Sequence, residues 1–161
     1  MRSEQDVNRA IEKYADTIRR ICMVHLKNYS DTEDIFQTVF LKYVLHAPAF
    51  DSPEHEKAWI IRVTINACKD LLKSFFRSRT LPLDSITEKP GQSQPEYSGV
   101  LEAVLSLPDK YKDVIYLYYY EDYTAAEISR LLNKNVHTVY TLMNRGREIL
   151  KQKLEEVEEN G

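Results

Sequence analysis

Apolar residues recur every three or four positions along most of the chain, which is the spacing that gathers side chains on one face of an α-helix. No stretch shows the strict alternation of a half-buried strand, so the first half predicts three helices. Their apolar positions are Val7, Ala10, Ile11, Tyr14, Ile18 and Ile21, then Ile35, Phe36, Val39, Phe40, Tyr43 and Val44, then Trp59, Val63, Cys68, Leu72 and Phe76.

Helix-start signals support this division. The runs Ser30-Asp31-Thr32-Glu33 and Thr124-Ala125-Ala126-Glu127 have the form of capping boxes, in which the first and last side chains satisfy each other's backbone amides. Ser52 followed by proline, and Asn135 before the last apolar run, are further candidate caps.

The pattern is interrupted at residues 80–98, where Pro82, Pro90, Gly91 and Pro95 replace the periodic apolar positions. Short helical runs resume at residues 100–107 and 111–120, separated by Pro108, and a last helix continues to about residue 156. The sequence therefore predicts an all-α protein of two small helical domains, residues 1–79 and 99–161, joined by a flexible linker at 80–98.

The last two predicted helices have the layout of a helix-turn-helix, in which the second helix enters the major groove of DNA. Asn133-Lys134-Asn135 forms the turn, and Val139, Met143, Gly146 and Leu150 define the inward stripe. An ordinary helical hairpin with a polar outer face is the alternative. The outward side chains, all able to contact bases or phosphates, are His137, Tyr140, Thr141, Asn144 and Arg145.

A second candidate contact lies on the third helix. One face of this helix carries Arg62, Asn66, Lys69, Lys73 and Arg77, with Trp59 beside it one turn earlier. A basic face edged by an aromatic side chain suits a nucleic-acid backbone and an unstacked base. A solvated face is an equally good account of the lysines, and core packing is the favoured account of Trp59.

A third candidate surface begins the second helix, at Asp31, Asp34, Ile35, Gln37 and Phe40. Acids in a first turn favour the helix dipole without any partner. The apolar residues of this helix, however, occupy more than one stripe, and a partner helix would cover the excess.

The net charge of −3 argues weakly against nucleic acid, but the charges are unevenly distributed. Residues 57–79 contain six basic residues and one acid, and residues 130–153 contain the same numbers. Two basic stretches on an acidic chain favour two local DNA contacts, although charge alone is better explained by two solvated faces.

Catalytic chemistry finds no support in the sequence. The four glycines form no phosphate loop, the four histidines are scattered, and Cys22 and Cys68 lie on apolar helical stretches without metal-ligand spacing. We expect buried free thiols, no catalytic residue, no cofactor and no metal. No apolar run is long enough to span a membrane, and no secretion signal begins the chain, so we expect a cytoplasmic protein.

Three runs in register resemble the extracytoplasmic-function sigma factors. DTEDIFQTVFLKYV is similar to their D-A-E-D-L-x-Q-E-x-F segment, and KAWIIRVTINACKDLLKS to their W-L-x-x-I-A-x-N-x-x-x-D segment. The run from Leu105 to Leu154 is similar to their L-P…E-I-A…T-V-x-x-R-x-x-R-A-R segment, with matches at Leu107, Pro108, Glu127, Ile128, Thr138, Val139, Arg145 and Arg147.

The resemblance implies a promoter-specificity subunit of RNA polymerase. The segment 31–43 would bind core polymerase, while the third helix and the loop 47–57 would recognise and melt the minus-ten element. The last helix, including Thr138, would read the minus-thirty-five element. Such proteins are monomers that an anti-sigma factor restrains.

Departures from the family pattern are concentrated in the last helix and the turn before it. Asn133 and Asn135 replace small residues and serine, Tyr140 and Leu142 replace basic residues, and Gly146 replaces alanine. Two other interpretations stay open: a helix-turn-helix regulator that binds duplex DNA without polymerase, and a helical adaptor or anti-sigma-like interaction protein.

Overall fold

The structure, a computed structural model, describes residues 2–26, 29–77 and 103–160. Every regular element in these ranges is helical. The six longer helices are α1 (Glu4–Leu26), α2 (Tyr29–His46), α3 (Pro53–Arg77), α4 (Asp109–Tyr119), α5 (Ala125–Leu131) and α6 (Val136–Asn160). The chain divides into two compact units, residues 1–93 and 94–161, and the predicted linker at 80–98 lies outside the described residues.

The first unit is a three-helix arrangement in which each helix packs against the other two. On α1 and α2 its core is built from the predicted apolar positions, including Tyr14, Ile18, Val39 and Tyr43. On α3 the core residues are Ile60, Ala67 and Cys68, whereas of the predicted positions Trp59, Val63 and Leu72 are only half-buried. Cys22 and Cys68 are also buried there without a disulfide, as the sequence predicts, with their Sγ atoms 3.9 Å apart.

The start of α3 agrees with the sequence, whereas the start of α2 differs from it. The hydroxyl of Ser52 accepts the backbone N–H of His55 at 3.1 Å, which caps α3. Helix α2 begins at Tyr29, so Ser30 lies inside the first turn rather than at the capping position. The predicted capping box is therefore wrong here, because the chain becomes helical before it reaches Ser30.

In the second unit, α4 packs against α6, and α5 packs against both. The capping box of α5 is confirmed, since Thr124 Oγ1 accepts the N–H of Glu127 and Glu127 Oε1 accepts the N–H of Thr124. Asn135 Oδ1 accepts the N–H of His137 at 2.8 Å and so caps α6 as predicted.

The turn between α5 and α6 has the hydrogen bonds of a Schellman motif. Asn133 has a positive φ of 55°. The amide of Lys134 donates to the carbonyl of Ser129 at 2.8 Å, and the amide of Asn133 donates to that of Arg130 at 3.4 Å. Asparagine tolerates this left-handed backbone, so the two helices turn sharply without a glycine.

The inward stripe of α6 is confirmed. Val139 and Met143 are 0% and 2% exposed, Gly146 is buried, and Leu150 is half-buried. Leu142 is buried beside them. This leucine, which stands where the sigma-factor pattern has a basic residue, therefore packs in the core.

Candidate nucleic-acid interface

The outer face of α6 consists of polar side chains that packing leaves exposed. Burial of Val139, Leu142 and Met143 fixes the rotation of the helix about its axis, because residues on the opposite side must then point outward. The exposed positions are all six of the predicted contacts, His137, Thr138, Tyr140, Thr141, Asn144 and Arg145.

Arg145 is available for an external anion. Within the described ranges no ion pair joins it to Glu127 or Glu148, the two carboxylates that would neutralise it locally. Glu127 instead caps α5, and its pKa is lowered by the hydrogen bonds from the backbone and side chain of Thr124. A guanidinium in this position can pair with guanine or with a phosphate.

Arg147 extends this face toward a cluster of tyrosines that the sequence analysis overlooked. Its Nε donates to the hydroxyl of Tyr119 at 2.7 Å, and its Cζ lies 5.4 Å from the ring centroid of Tyr118. Its Nη1 approaches Asn144 Oδ1 at 3.5 Å. The run of tyrosines at the end of α4 was the available signal, because so many aromatic residues in succession cannot all face the core.

The basic face of α3 is on the surface of the first unit. Arg62, Asn66 and Lys73 are exposed and Lys69 is half-buried, in accordance with their helical spacing. The side chain of Arg77 lies outside the described residues. Four of the predicted minus-ten contacts therefore share one accessible face.

Trp59 lies at the edge of that face, with one side packed against the core. Its ring makes edge contacts with Tyr43, at a centroid distance of 6.1 Å, and with Phe50, at 5.9 Å. Phe50 in turn stacks on Tyr43 at 6.3 Å and meets His55 edge-on at 5.2 Å. The rings of Tyr43, Phe50 and Trp59 thus form an aromatic wall, and Trp59 is its member at the edge of the basic face.

Phe50 belongs to the segment 47–52, which connects α2 to α3 and which Arg2 fastens to the rest of the unit. One guanidinium nitrogen of Arg2 donates to the carbonyl of Ala47 at 2.8 Å, and the other donates to the carbonyl of Pro48. The Cζ atom lies 4.7 Å and 4.8 Å from the ring centroids of Tyr43 and Phe50. Both contacts are cation–π interactions.

Glu56, at the start of α3, is a buried carboxylate that joins all three helices of the first unit. It is 5% exposed and accepts hydrogen bonds from Tyr14 and Tyr43, each at 2.8 Å, and from Arg9 at 3.2 Å. Burial opposes its ionisation, but the three hydrogen bonds outweigh that effect and hold its pKa below the ordinary value. The two tyrosines have raised pKa values because they are buried and donate to this anion.

Helix α2 exposes part of the surface that the sequence predicts for core polymerase. Asp34 and Gln37 are exposed and Asp31 is half-buried, but Ile35 and Phe40 are only 4% and 6% exposed and belong to the core. The apolar excess lies instead at Leu41 and Leu45, which are 60% and 53% exposed. A motif match does not distinguish the two faces of a helix, so it grouped buried with exposed residues.

Two kinds of site are missing from the described part of the chain. Residues 2–26, 29–77 and 103–160 contain no group of three or more His, Cys, Asp or Glu side chains arranged to hold a metal ion. None of the helices in those ranges is both long and apolar enough to cross a bilayer.

Two known protein families match the chain, one in each unit. Sigma-70 region 2 matches residues 10–79, and Sigma-70, region 4 matches residues 98–150.

Curated relatives include "ECF RNA polymerase sigma factor SigW" of Bacillus subtilis, which is 28% identical over 91% of this chain and 88% of that protein. "ECF RNA polymerase sigma factor SigM" of the same species is 26% identical over 90% and 93%. Among solved structures, the sigma factor RpoE of Bartonella quintana, in complex with the anti-sigma factor NepR, has a TM-score of 0.74 at 16% identity and covers 94% of this chain and 98% of that one. The chain belongs to the extracytoplasmic-function group of sigma factors.

Proposed function

We propose that this protein directs core RNA polymerase to specific promoters, with the second unit reading the minus-thirty-five element. The observation that carries the proposal is the outer face of α6. Six polar side chains are exposed on this helix, which is the second helix of a helix-turn-helix whose first helix begins with a capping box. The chain also matches both sigma regions. The protein supplies no catalysis of its own, and it acts in the cytoplasm as a monomer.

The first unit, on this proposal, recognises the minus-ten element and helps to melt it. Support comes from the accessible face formed by Arg62, Asn66, Lys69 and Lys73, with the aromatic wall of Trp59 beside it. Cations would bind the phosphates of the displaced strand, and an aromatic side chain would stack on an unpaired base.

Core polymerase would bind α2 through its exposed side chains. Asp34 and Gln37 supply polar contacts, while Leu41 and Leu45 supply the apolar area that a partner helix would cover. Ile35 and Phe40 contribute indirectly, because their burial in the core fixes the rotation of α2. An anti-sigma factor is a further proposed partner, since the similar RpoE structure contains one.

The decisive experiment is run-off transcription with purified core RNA polymerase on a library of genomic promoters. We expect promoter-specific transcripts only when the protein and core polymerase are both present. A helix-turn-helix regulator acting without polymerase would instead bind promoter duplexes alone and would fail to retain core polymerase in a pull-down. An adaptor protein would show no salt-dependent binding to promoter DNA when that binding is measured directly.

A further inference from the structure

Arg2, two residues before the start of α1, is held against the segment 47–50 that follows α2. Its guanidinium donates to two successive backbone carbonyls, those of Ala47 and Pro48, and its charge lies against the rings of Tyr43 and Phe50. A planar group with several fixed donors can satisfy two carbonyls and two ring faces together, whereas a lysine cannot.

The interactions of Arg2 converge on the side chains that form the aromatic wall beside the basic face. Phe50 lies between Tyr43, Trp59 and His55, so the ring that Arg2 covers is also the ring that packs on Trp59. Tyr43 is fixed from its other end, because its hydroxyl donates to the buried carboxylate of Glu56. Arg2 is therefore the residue that fastens the segment 47–50 to an otherwise fixed framework.

We propose that Arg2 is a positioning residue for promoter melting: it holds the segment 47–50, with Phe50 against Trp59, in the arrangement that the minus-ten element meets. The inference rests on the proposed function of the first unit. Without Arg2 the carbonyls of Ala47 and Pro48 would turn to water, and Phe50 would keep only its ring contacts. Binding of an unpaired base near Trp59 would then have to order the segment first, which lowers the rate of melting.

The first measurement follows Trp59 in the free protein. Trp59 is the only tryptophan, so its fluorescence reports the aromatic wall directly. Arg2→Ala is expected to raise acrylamide quenching and to shift the emission to longer wavelength, because Phe50 no longer covers the indole continuously. Lys13→Ala is the matched control, because it removes an exposed positive charge from α1 that lies 5.5 Å from the ring centroid of Tyr14 and not over Tyr43 or Phe50. It is expected to leave the emission unchanged.

The second measurement follows melting by the holoenzyme. Arg2→Ala is expected to slow the appearance of permanganate-reactive thymines at the minus-ten element by about tenfold, the size expected when cation–π interactions and charge-assisted hydrogen bonds are removed together. Arg2→Lys keeps the charge but not the two-carbonyl geometry, so it is expected to show most of the same defect. Lys13→Ala is expected to melt the promoter at the wild-type rate.

Salt dependence separates positioning from direct binding of a phosphate. Removing a cation that binds a phosphate reduces the slope of log affinity against log salt by about 0.9, whereas removing a positioning residue leaves the slope unchanged. A reduced slope for Arg2→Ala, an unchanged melting rate, or faster melting, as expected if Arg2 blocked the rings, would each overturn the inference. If wild-type holoenzyme melted no promoter, the proposed function itself would fail, while the quenching of Trp59 would still test whether Arg2 holds the segment.

Discussion

Glu56 is a charged residue in a helix-packing interface, where most side chains are apolar. Isolated, a buried carboxylate would be strongly destabilising, but this one accepts three hydrogen bonds from two other helices. Its position four residues before Ile60 places it on the inward stripe of α3. The carboxylate therefore joins α1, α2 and α3 at the end of the unit that bears the segment 47–52.

Replacement of this carboxylate is expected to destabilise the protein in a pH-dependent manner. Glu56→Gln should lower the free energy of unfolding by about 1–3 kcal/mol at neutral pH, because the ionised acceptor of Tyr14, Tyr43 and Arg9 is removed. Since the pKa of Glu56 is lowered on folding from 4.5, its ionisation contributes stability above that pH, and the contribution disappears as the pH falls through the folded-state pKa.

Urea denaturation at several pH values measures this effect. The difference between wild type and Glu56→Gln should be largest near pH 7 and should narrow below about pH 4.5. Glu54→Gln, at an exposed position of the same first turn, is the control. It loses only the interaction of its carboxylate with the helix dipole and should lower stability by less than about 1 kcal/mol. A difference that stays constant down to pH 3 would contradict the assigned role of the ionised carboxylate.

Residue-level inference from the sequence succeeded where one helix determines the outcome. The outer face of α6 follows from periodicity, and the caps at Ser52, Thr124 and Asn135 follow from local hydrogen bonding. The role of Glu56 could not be predicted from the sequence, because its partners Tyr14 and Tyr43 come from other helices and only tertiary packing reveals them. Arg2 was overlooked for the same reason.

At the scale of the helices, Gly146 shows why α6 departs from the family's alanine. A β-carbon at this position would lie 3.2 Å from Ile115 Cγ1 and 3.3 Å from Tyr111 Cβ, both on α4. Glycine in a helix costs about 1 kcal/mol relative to alanine. The close approach of α4 and α6 therefore explains the glycine, which the sequence alone indicates only as a loss of helix propensity.

Gly146→Ala is therefore expected to gain none of the usual stabilisation. Its helix-propensity gain of about 1 kcal/mol should be offset by the overlap, because Tyr111 Cβ is attached to the backbone and cannot rotate away. Thermal denaturation should give a melting temperature no higher than that of wild type. Glu148→Ala, at an exposed position of the same helix, controls for the substitution itself. Full stabilisation by Gly146→Ala would show that the helices separate readily.

Helix α2 offers a second prediction at the element scale. Asp34→Lys combined with Leu41→Ala should weaken association with core polymerase by about 2 kcal/mol, because one change reverses an exposed charge and the other removes exposed apolar area. Gln37→Ala should add to the defect. Equilibrium binding to labelled core polymerase measures the effect, and circular dichroism verifies folding. Glu12→Lys, at an exposed position on α1, is the charge control. Wild-type affinity in the folded double variant would exclude this face of α2 as the polymerase-binding surface.

For the whole molecule, the two proposed DNA-binding surfaces lie on separate units and share no residue. Changes at sites that share no contact residues usually add to within about 0.5 kcal/mol. The minus-ten and minus-thirty-five contributions should therefore be separable by mutation. The fold of each unit follows from the periodic pattern of its own part of the sequence. The two-unit organisation could therefore be predicted from the interruption between the two periodic stretches.

The separation can be tested with Arg145→Ala and with the pair Lys69→Ala and Lys73→Ala on templates with intact and scrambled upstream elements. Arg145→Ala should cost about 1–3 kcal/mol of promoter binding on the intact template and nothing on the scrambled one, because its partner is then absent. The lysine pair should reduce permanganate reactivity at the minus-ten element on both templates, with a salt slope smaller by about 0.9 for each phosphate that is no longer neutralised. The triple variant should show the sum of the two effects on the intact template. If Arg145→Ala reduces activity equally on both templates, α6 does not read the upstream element, and if the lysine pair leaves melting and its salt slope unchanged, the basic face of α3 is merely solvated.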